Sequence, residues 1–157
     1  QFRGVGRRFE SHGPVGGVSV YDDYGHHPTE IRATLETAKI ANPAGRIFVL
    51  FQPHRFTRTK LLADEFGSAF EKADVLFVTD IYAASEKPIN GVTGETIVES
   101  VLRKGHRHVT FVKHWKSGVE EVLKQVRPGD TILTLGAGDI DQAPAIFATE
   151  LKQRHGK

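Results

Sequence analysis

The sequence predicts an α/β fold, a mostly parallel sheet of about six strands with helices on both faces. Three observations carry this. Short apolar runs alternate five times with segments whose apolar residues recur at helical spacing. The runs are apolar at consecutive positions, as in Ile47-Phe48-Val49-Leu50-Phe51, which suits strands covered on both faces. The chain has 157 residues, 39% hydrophobic and 25% charged, the size and mix of a single globular domain.

In order, Arg8 to His12 supplies a candidate edge strand within a glycine-broken opening that holds Gly4, Gly6, Gly13, Gly16 and Gly17. Val18 to Tyr21 is β-branched and strand-like. Pro28 suits a first helical turn, where a missing N–H costs little, and Ile31, Leu35 and Ala38 then share one face. Asn42-Pro43-Ala44-Gly45 ends that helix. Arg46 to Phe51 is a buried strand, followed by a helix with Leu62, Phe66, Phe70 and Ala73 on one face. Val75 to Thr79 is a strand, and Ile97, Val98, Val101 and Leu102 stripe a third helix. Val109 to Val112 is a strand. Ser117 with Glu120 reads as a capping box for a helix bearing Val119, Val122, Leu123 and Val126. After the turn Arg127-Pro128-Gly129-Asp130 come the strand Thr131 to Leu135 and a last helix, Ala145 to Lys152, with Lys152 to Lys157 as a frayed basic tail.

Composition excludes several functions. The formal charge of +2 is too small to argue for nucleic acid. No cysteine is present, so disulfides, thiolate metal sites and cysteine nucleophiles are out. No run approaches the ~18 apolar residues of a membrane span. The chain opens Gln1-Phe2-Arg3, without a methionine or a basic-then-apolar leader, and reads as a portion of a longer cytoplasmic polypeptide.

Ligands of open parallel sheets bind beyond the carboxyl ends of the strands. The segments there are Asp22 to His27, Gln52 to Thr59, Asp80 to Glu86 and Gly136 to Ile140. Arg55 and Arg58 lie three apart at a helix start, where the helix dipole disfavours cations. They read either as an anion dock, matched to a carboxylate or phosphate, or as solvated arginines. His26-His27 beside Asp22-Asp23 fits no strong zinc spacing, so no protein metal site is assigned; substrate contact or helix capping is expected. If the strand stays extended, only one of Asp22 and Asp23 faces the crevice. Gly136-Ala137-Gly138 lacks the third glycine of a dinucleotide fingerprint and reads as a tight turn. Arg103 to His108 with Trp115 reads as a solvated face with one anchoring aromatic. No Gly-x-x-x-x-Gly-Lys-Ser/Thr loop occurs.

Asp22-Asp23-Tyr24-Gly25-His26-His27-Pro28-Thr29-Glu30 and Phe51-Gln52-Pro53-His54-Arg55-Phe56-Thr57-Arg58-Thr59 resemble signatures of the C-terminal domain of the Mur ligases, in particular those that join L-alanine to UDP-N-acetylmuramate. Arg7-Arg8-Phe9-Glu10, Tyr82-Ala83 to Glu86 and Gly136 to Ile140 match in order as well. The resemblance covers nearly the whole chain and implies a single Rossmann-like domain over 1–157. It implies that N-terminal UDP-binding and central ATP-binding domains lie elsewhere in the parent protein. The implied reaction belongs to peptidoglycan synthesis. ATP with Mg²⁺ activates the lactyl carboxylate of UDP-N-acetylmuramate as an acyl phosphate, which the amine of L-alanine attacks. By resemblance, Tyr24, His26, His54, Arg55 and Arg58 surround L-alanine. Arg8 and Asp23 sit at the interdomain joint and help hold ATP, with Asp23 near the ribose. No residue is assigned as general base.

Two rivals remain. One is the recycling ligase that attaches a tripeptide to the same sugar nucleotide. The other is a non-catalytic α/β module for a nucleotide or anion. The ATP and sugar-nucleotide machinery is expected outside this chain, so the purified 157-residue chain should form no ADP from ATP, UDP-N-acetylmuramate and L-alanine. A coupled ADP assay checks this, and any substrate-dependent signal contradicts it.

Overall fold

Each apolar run is a strand in the computed structural model, which describes residues 7–155. In chain order the elements are β1 (Glu10–Ser11), β2 (Ser19–Asp23), α1 (Pro28–Ala41), β3 (Ile47–Phe51), α2 (Phe56–Leu61), α3 (Ala63–Gly67), β4 (Val75–Val78), α4 (Gly94–Arg103), β5 (Val109–Phe111), α5 (Trp115–Gln125), β6 (Thr131–Leu135), a 3-10 turn (Asp139–Gln142) and α6 (Ala143–His155). Gly4 and Gly6 of the opening, and Gly156 and Lys157 of the tail, fall outside the described residues.

The six strands form one sheet in the order β1-β2-β6-β3-β4-β5. β1 is the antiparallel edge, and every other pairing is parallel. β6, last in sequence, slots between β2 and β3. Side chains alternate across a strand, so β3 feeds two cores. Ile47, Val49 and Phe51 join α1, α3 and α4 through Ile31, Leu35, Phe66, Ile97 and Val101. Phe48 and Leu50 join α5 and α6 through Trp115, Val119, Val122, Phe147 and Leu151. All five β3 residues are fully buried, which is why that stretch shows no polar alternation. Among the described residues no helix is long and apolar enough to cross a membrane.

Four local expectations need correction. The helix after β3 is two, broken at Leu62 (φ −107°, ψ 16°), and Phe70 and Ala73 lie in the turn beyond α3. Phe66 and Phe70 both pack on Phe51, with ring centroids 5.7 and 5.2 Å away, and this packing overrides a continuous helical period. In the third helix Leu102 is exposed while Ile97 and Val101 are buried. α5 starts at Trp115, and its cap is His114, whose ring accepts from the Lys116 N–H at 3.1 Å; Ser117 is already inside the helix. Trp115 is 2% exposed and sits in the core, so the helix begins early enough to bury it. α6 continues to His155 rather than fraying at Lys152, and Arg154 donates to the Leu123 carbonyl of α5.

The end of the sheet away from the strands' carboxyl ends is closed by ion pairing. Arg46 grips Asp130 with Nε (3.1 Å) and Nη2 (2.7 Å), and Asp130 also accepts from the Arg127 N–H. At the opposite end Gly94 opens α4 directly against the sheet. A Cβ there would lie 2.1 Å from the Thr79 carbonyl oxygen, a backbone atom that cannot swing away. Gly94→Ala should therefore destabilise the fold by ~1–3 kcal/mol, as overpacking does. Urea unfolding checks this, and an unchanged midpoint contradicts it.

Candidate functional site

Strand register decides what meets at the carboxyl edge. Asp23 pairs with Leu135, Leu135 with Phe51, and Phe51 with Val78. Four strands thus end level, and the loops after them share one rim.

The loop after β2 is held from below. Asp22 is buried and receives Arg7 at 2.7 Å (Nε) and 3.2 Å (Nη2), with Thr134 Oγ1 donating at 2.6 Å. Arg7 also donates to the Gly136 carbonyl at 2.8 Å, tying this loop to the one after β6. Asp23 is buried as well, and accepts from the N–H groups of Phe9 and Gly25, each at 2.8 Å. The extended strand was expected to leave one carboxylate for structure. Both make structural bonds, and Asp23 alone also lines a cavity. His27 caps α1, accepting from the Thr29 N–H, while Glu30 accepts from the N–H groups of His26 and His27. The neighbouring histidines therefore part company, one to a cap and one to the rim.

The loops after β3, β4 and β6 interlock. Gln52 donates to Asp139 at 2.8 Å and accepts from the Ile140 N–H. Tyr82 N–H donates to Pro53, and Arg55 N–H donates to Tyr82, each at 2.8 Å. Gly138 lets these loops close. A Cβ there would meet Gln52 Oε1 and Tyr82 Cγ, each at 2.6 Å. The Gly136 to Ile140 segment is thus the close-packed turn expected of it.

Four rings run along the rim. Tyr24 meets His26 edge-on at 5.3 Å, His26 meets His54 at 5.4 Å, and His54 stacks on Tyr82 at 5.6 Å. Arg58 folds back to donate to the His54 carbonyl (3.1 Å), and its Nη1 lies 3.3 Å from His54 Nδ1. A guanidinium only donates, so Nδ1 accepts and the ring proton sits on Nε2. Burial, then the charges of His26, Arg58 and Arg55, push the His54 imidazole down to about 4. His54 is therefore neutral at pH 7. Arg55 is exposed at the start of α2, its guanidinium unpaired among the described residues. The helix-start amides do not await a ligand anion, because Glu86 already accepts from them.

Beside Tyr24 lies a cavity of about 260 Å³, lined by Arg8, Asp23, Tyr24, Gly25, Thr29 and Glu30 among others. The expected residues thus form two adjoining groups. Tyr24, His26, His54, Arg55 and Arg58 lie along the ring row, and Arg8 and Asp23 lie on the cavity. The sequence placed Gln52, Tyr82, Glu86 and Asp139 in the rim segments and Arg7 in a matched motif, but gave none of them a role in building the site. Glu10, His12 and Asp22 bring ligand atoms within 4.8 Å of one another, but Asp22 is already committed to Arg7.

Residues 7–138 match the family described as Mur ligase, glutamate ligase domain, and the chain belongs to it. Within it, the chain is 51% identical over 152 residues to the UDP-N-acetylmuramate–L-alanine ligase of Geobacter sulfurreducens, covering 97% of this chain and 33% of that protein. It is 56% identical over 142 residues to the enzyme of the same name from Solibacter usitatus, covering 90% and 30%. The crystal structure of UDP-N-acetylmuramate-alanine ligase from Thermotoga maritima aligns with a TM-score of 0.76 at 31% identity, over 94% of this chain and 30% of that one. The chain spans about a third of the length of the curated relatives it matches.

The His54 value fixes a pH dependence. It lies at about 4 in the fold against an ordinary 6.5, so between those values the unfolded chain binds more protons. Stability should fall as pH drops from 6.5 toward 4, and His54→Gln should flatten this part of the profile. Urea melts across that range, with the His54 ring titrated by NMR, check it. A His54 midpoint near 6.5 would falsify the assignment.

Proposed function

We propose that this chain is the amino-acid-docking domain of a UDP-N-acetylmuramate–L-alanine ligase. The reaction joins L-alanine to the lactyl carboxylate of UDP-N-acetylmuramate as ATP is converted to ADP and phosphate. The observation that carries the reading is the pairing of Arg55 and Arg58 with the row Tyr24, His26, His54 at the carboxyl edge. The identity to ligases of that name supports the substrate assignment.

Chemically, the rim suits a small zwitterion. Arginine guanidinium groups match a carboxylate in shape and charge. A neutral His54 adds no positive charge to repel the substrate's ammonium group, and its Nε2–H is a further donor. Clamping the carboxylate aims the amine away from the rim, toward the carbonyl carbon it attacks. That is a positioning contribution, worth much of a bimolecular barrier when the geometry is right. No residue here is assigned as general base.

ATP supplies the phosphoryl group that activates the lactyl carboxylate. Its fit to this chain is partial. The 260 Å³ cavity with Arg8 and Asp23 suits a sugar and its hydroxyls, since each Asp23 oxygen keeps a lone pair beyond its one backbone bond. The cavity's carboxylates, Asp23 and Glu30, are engaged by backbone N–H groups and do not present a Mg²⁺ ligand set. Mg²⁺ and the phosphates are assigned to the parent enzyme's central domain, the sugar nucleotide to its N-terminal domain, and the whole to the cytoplasm.

The full-length parent protein should release phosphate from ATP, Mg²⁺ and UDP-N-acetylmuramate only when L-alanine is added. Release with the tripeptide alone would make it the recycling ligase, and no release with either would leave a binding module. Arg55→Ala and Arg58→Ala should each lower kcat/KM for L-alanine by roughly 10- to 100-fold, the loss of a charge-assisted bond. Unchanged L-alanine kinetics in both variants would remove the clamp.

A further inference from the structure

The loop after β4 carries a carboxylate that the docking scheme leaves unused. Glu86 reaches across the rim to the start of α2. Its Oε1 accepts from the Phe56 N–H at 2.6 Å and the Thr57 N–H at 3.1 Å, and its Oε2 accepts from Thr57 Oγ1. The helix supplies no such cap itself, because the N-cap residue is Arg55 and its side chain makes no capping bond. The bond from Thr57 Oγ1 also holds the Glu86 carboxyl below its ordinary range.

The backbone around this contact is strained on both sides. Arg55 has φ 77°, a region L-residues seldom enter, and Ala84 (φ 52°) and Ser85 (φ 73°) occupy it too. Such residues persist only where their surroundings over-determine them. Here the Arg55 N–H is fixed by the Tyr82 carbonyl, and the next two N–H groups by Glu86. Three consecutive donors are thus satisfied by one neighbouring loop, and the residue at their head is the exposed arginine.

We infer that Glu86 is a positioning residue for the substrate-carboxylate clamp. It locks Arg55 in its left-handed conformation by fixing the two N–H groups that follow it, and so sets where the Arg55 guanidinium stands. This rests on the proposed function and adds to it a residue that touches no substrate. With Glu86 removed, Arg55 loses its fixed backbone and its guanidinium is no longer held toward the substrate carboxylate.

The test uses the full-length enzyme with Glu86→Ala, Glu86→Gln and Thr57→Val. Glu86→Ala should raise KM for L-alanine about tenfold or more, with KM for ATP and for UDP-N-acetylmuramate within roughly twofold of wild type. Hydrogen exchange at Phe56 and Thr57 should quicken in the same variant. Glu86→Gln keeps an oxygen that accepts from both N–H groups and should restore most of the L-alanine KM. Thr57→Val, which loses only the hydroxyl contact, should fall between. A KM for L-alanine unchanged in Glu86→Ala, or equal increases for all three substrates, would overturn the inference. So would unchanged exchange at Phe56 and Thr57, whatever the substrate proves to be. A wild-type enzyme that uses only the tripeptide would refute the proposed substrate instead, and the same KM comparison would then be read on the tripeptide carboxylate.

Discussion

Everything at the rim depends on β6 lying between β2 and β3. Parallel strands impose a register, and this one sets Asp23, Leu135, Phe51 and Val78 at one level. A slip of one residue would turn every β6 side chain to the opposite face and bury a polar one against the wrong helices. Thr134 shows what pins it. Its hydroxyl donates to Asp22, the same carboxylate that receives Arg7, whose guanidinium also reaches the Gly136 carbonyl. The register is thus written in apolar packing on both faces and signed once by a buried polar network. Such a network is costly if any member is missing, so it disfavours alternative registers more than it adds stability.

The same network explains how a fold tolerates so much charge in one place. Both aspartates that end β2 are satisfied, one by an arginine and one by two amides. Glu86 meets the dipole of α2, and Glu30 that of α1. Each anion at the rim is therefore satisfied from within. The cations are treated differently: Arg58 is braced by a carbonyl and a neutral imidazole, and Arg55 is unpaired among the described residues. What stays open at the rim is therefore the Arg55 guanidinium, although the rim segments hold more acids than bases and the chain as a whole carries +2. Total charge was a poor guide to this surface because the balance is struck loop by loop.

The elements and their order were readable in the sequence because each is coded locally, in apolar runs for strands and helical spacing for helices. The strand order was not readable. Nothing in Thr131 to Leu135 says that the last strand enters the middle of the sheet. The rim segments followed from a general rule about parallel sheets, and within them the family resemblance singled out Tyr24, His26, His54, Arg55 and Arg58. Their partners could not. That Glu86 caps a helix beginning thirty residues earlier depends on two loops meeting across β3 and β4. The helix break at Leu62 and the early start of α5 arose the same way: Phe66, Phe70 and Trp115 had to reach a core, and tertiary packing overrode local pattern.

The exposure of this rim bears on how an amino acid is chosen. Tyr24 and Tyr82 are 41% and 38% exposed, and Arg55 is open to solvent. A surface of this kind can fix a carboxylate, because two guanidinium groups suffice for that. It does not enclose a side chain, and a methyl group is distinguished from a hydrogen only by a wall that fits it, for ~1–3 kcal/mol. Under the proposed function, the domain therefore supplies the common handle of all α-amino acids, while selection of alanine belongs to whatever surface closes over the rim. That division makes the rings more than spectators. Tyr24, His26, His54 and Tyr82 form a continuous row of ring contacts, partly open to solvent, that gives such a surface a ready-made wall to close against.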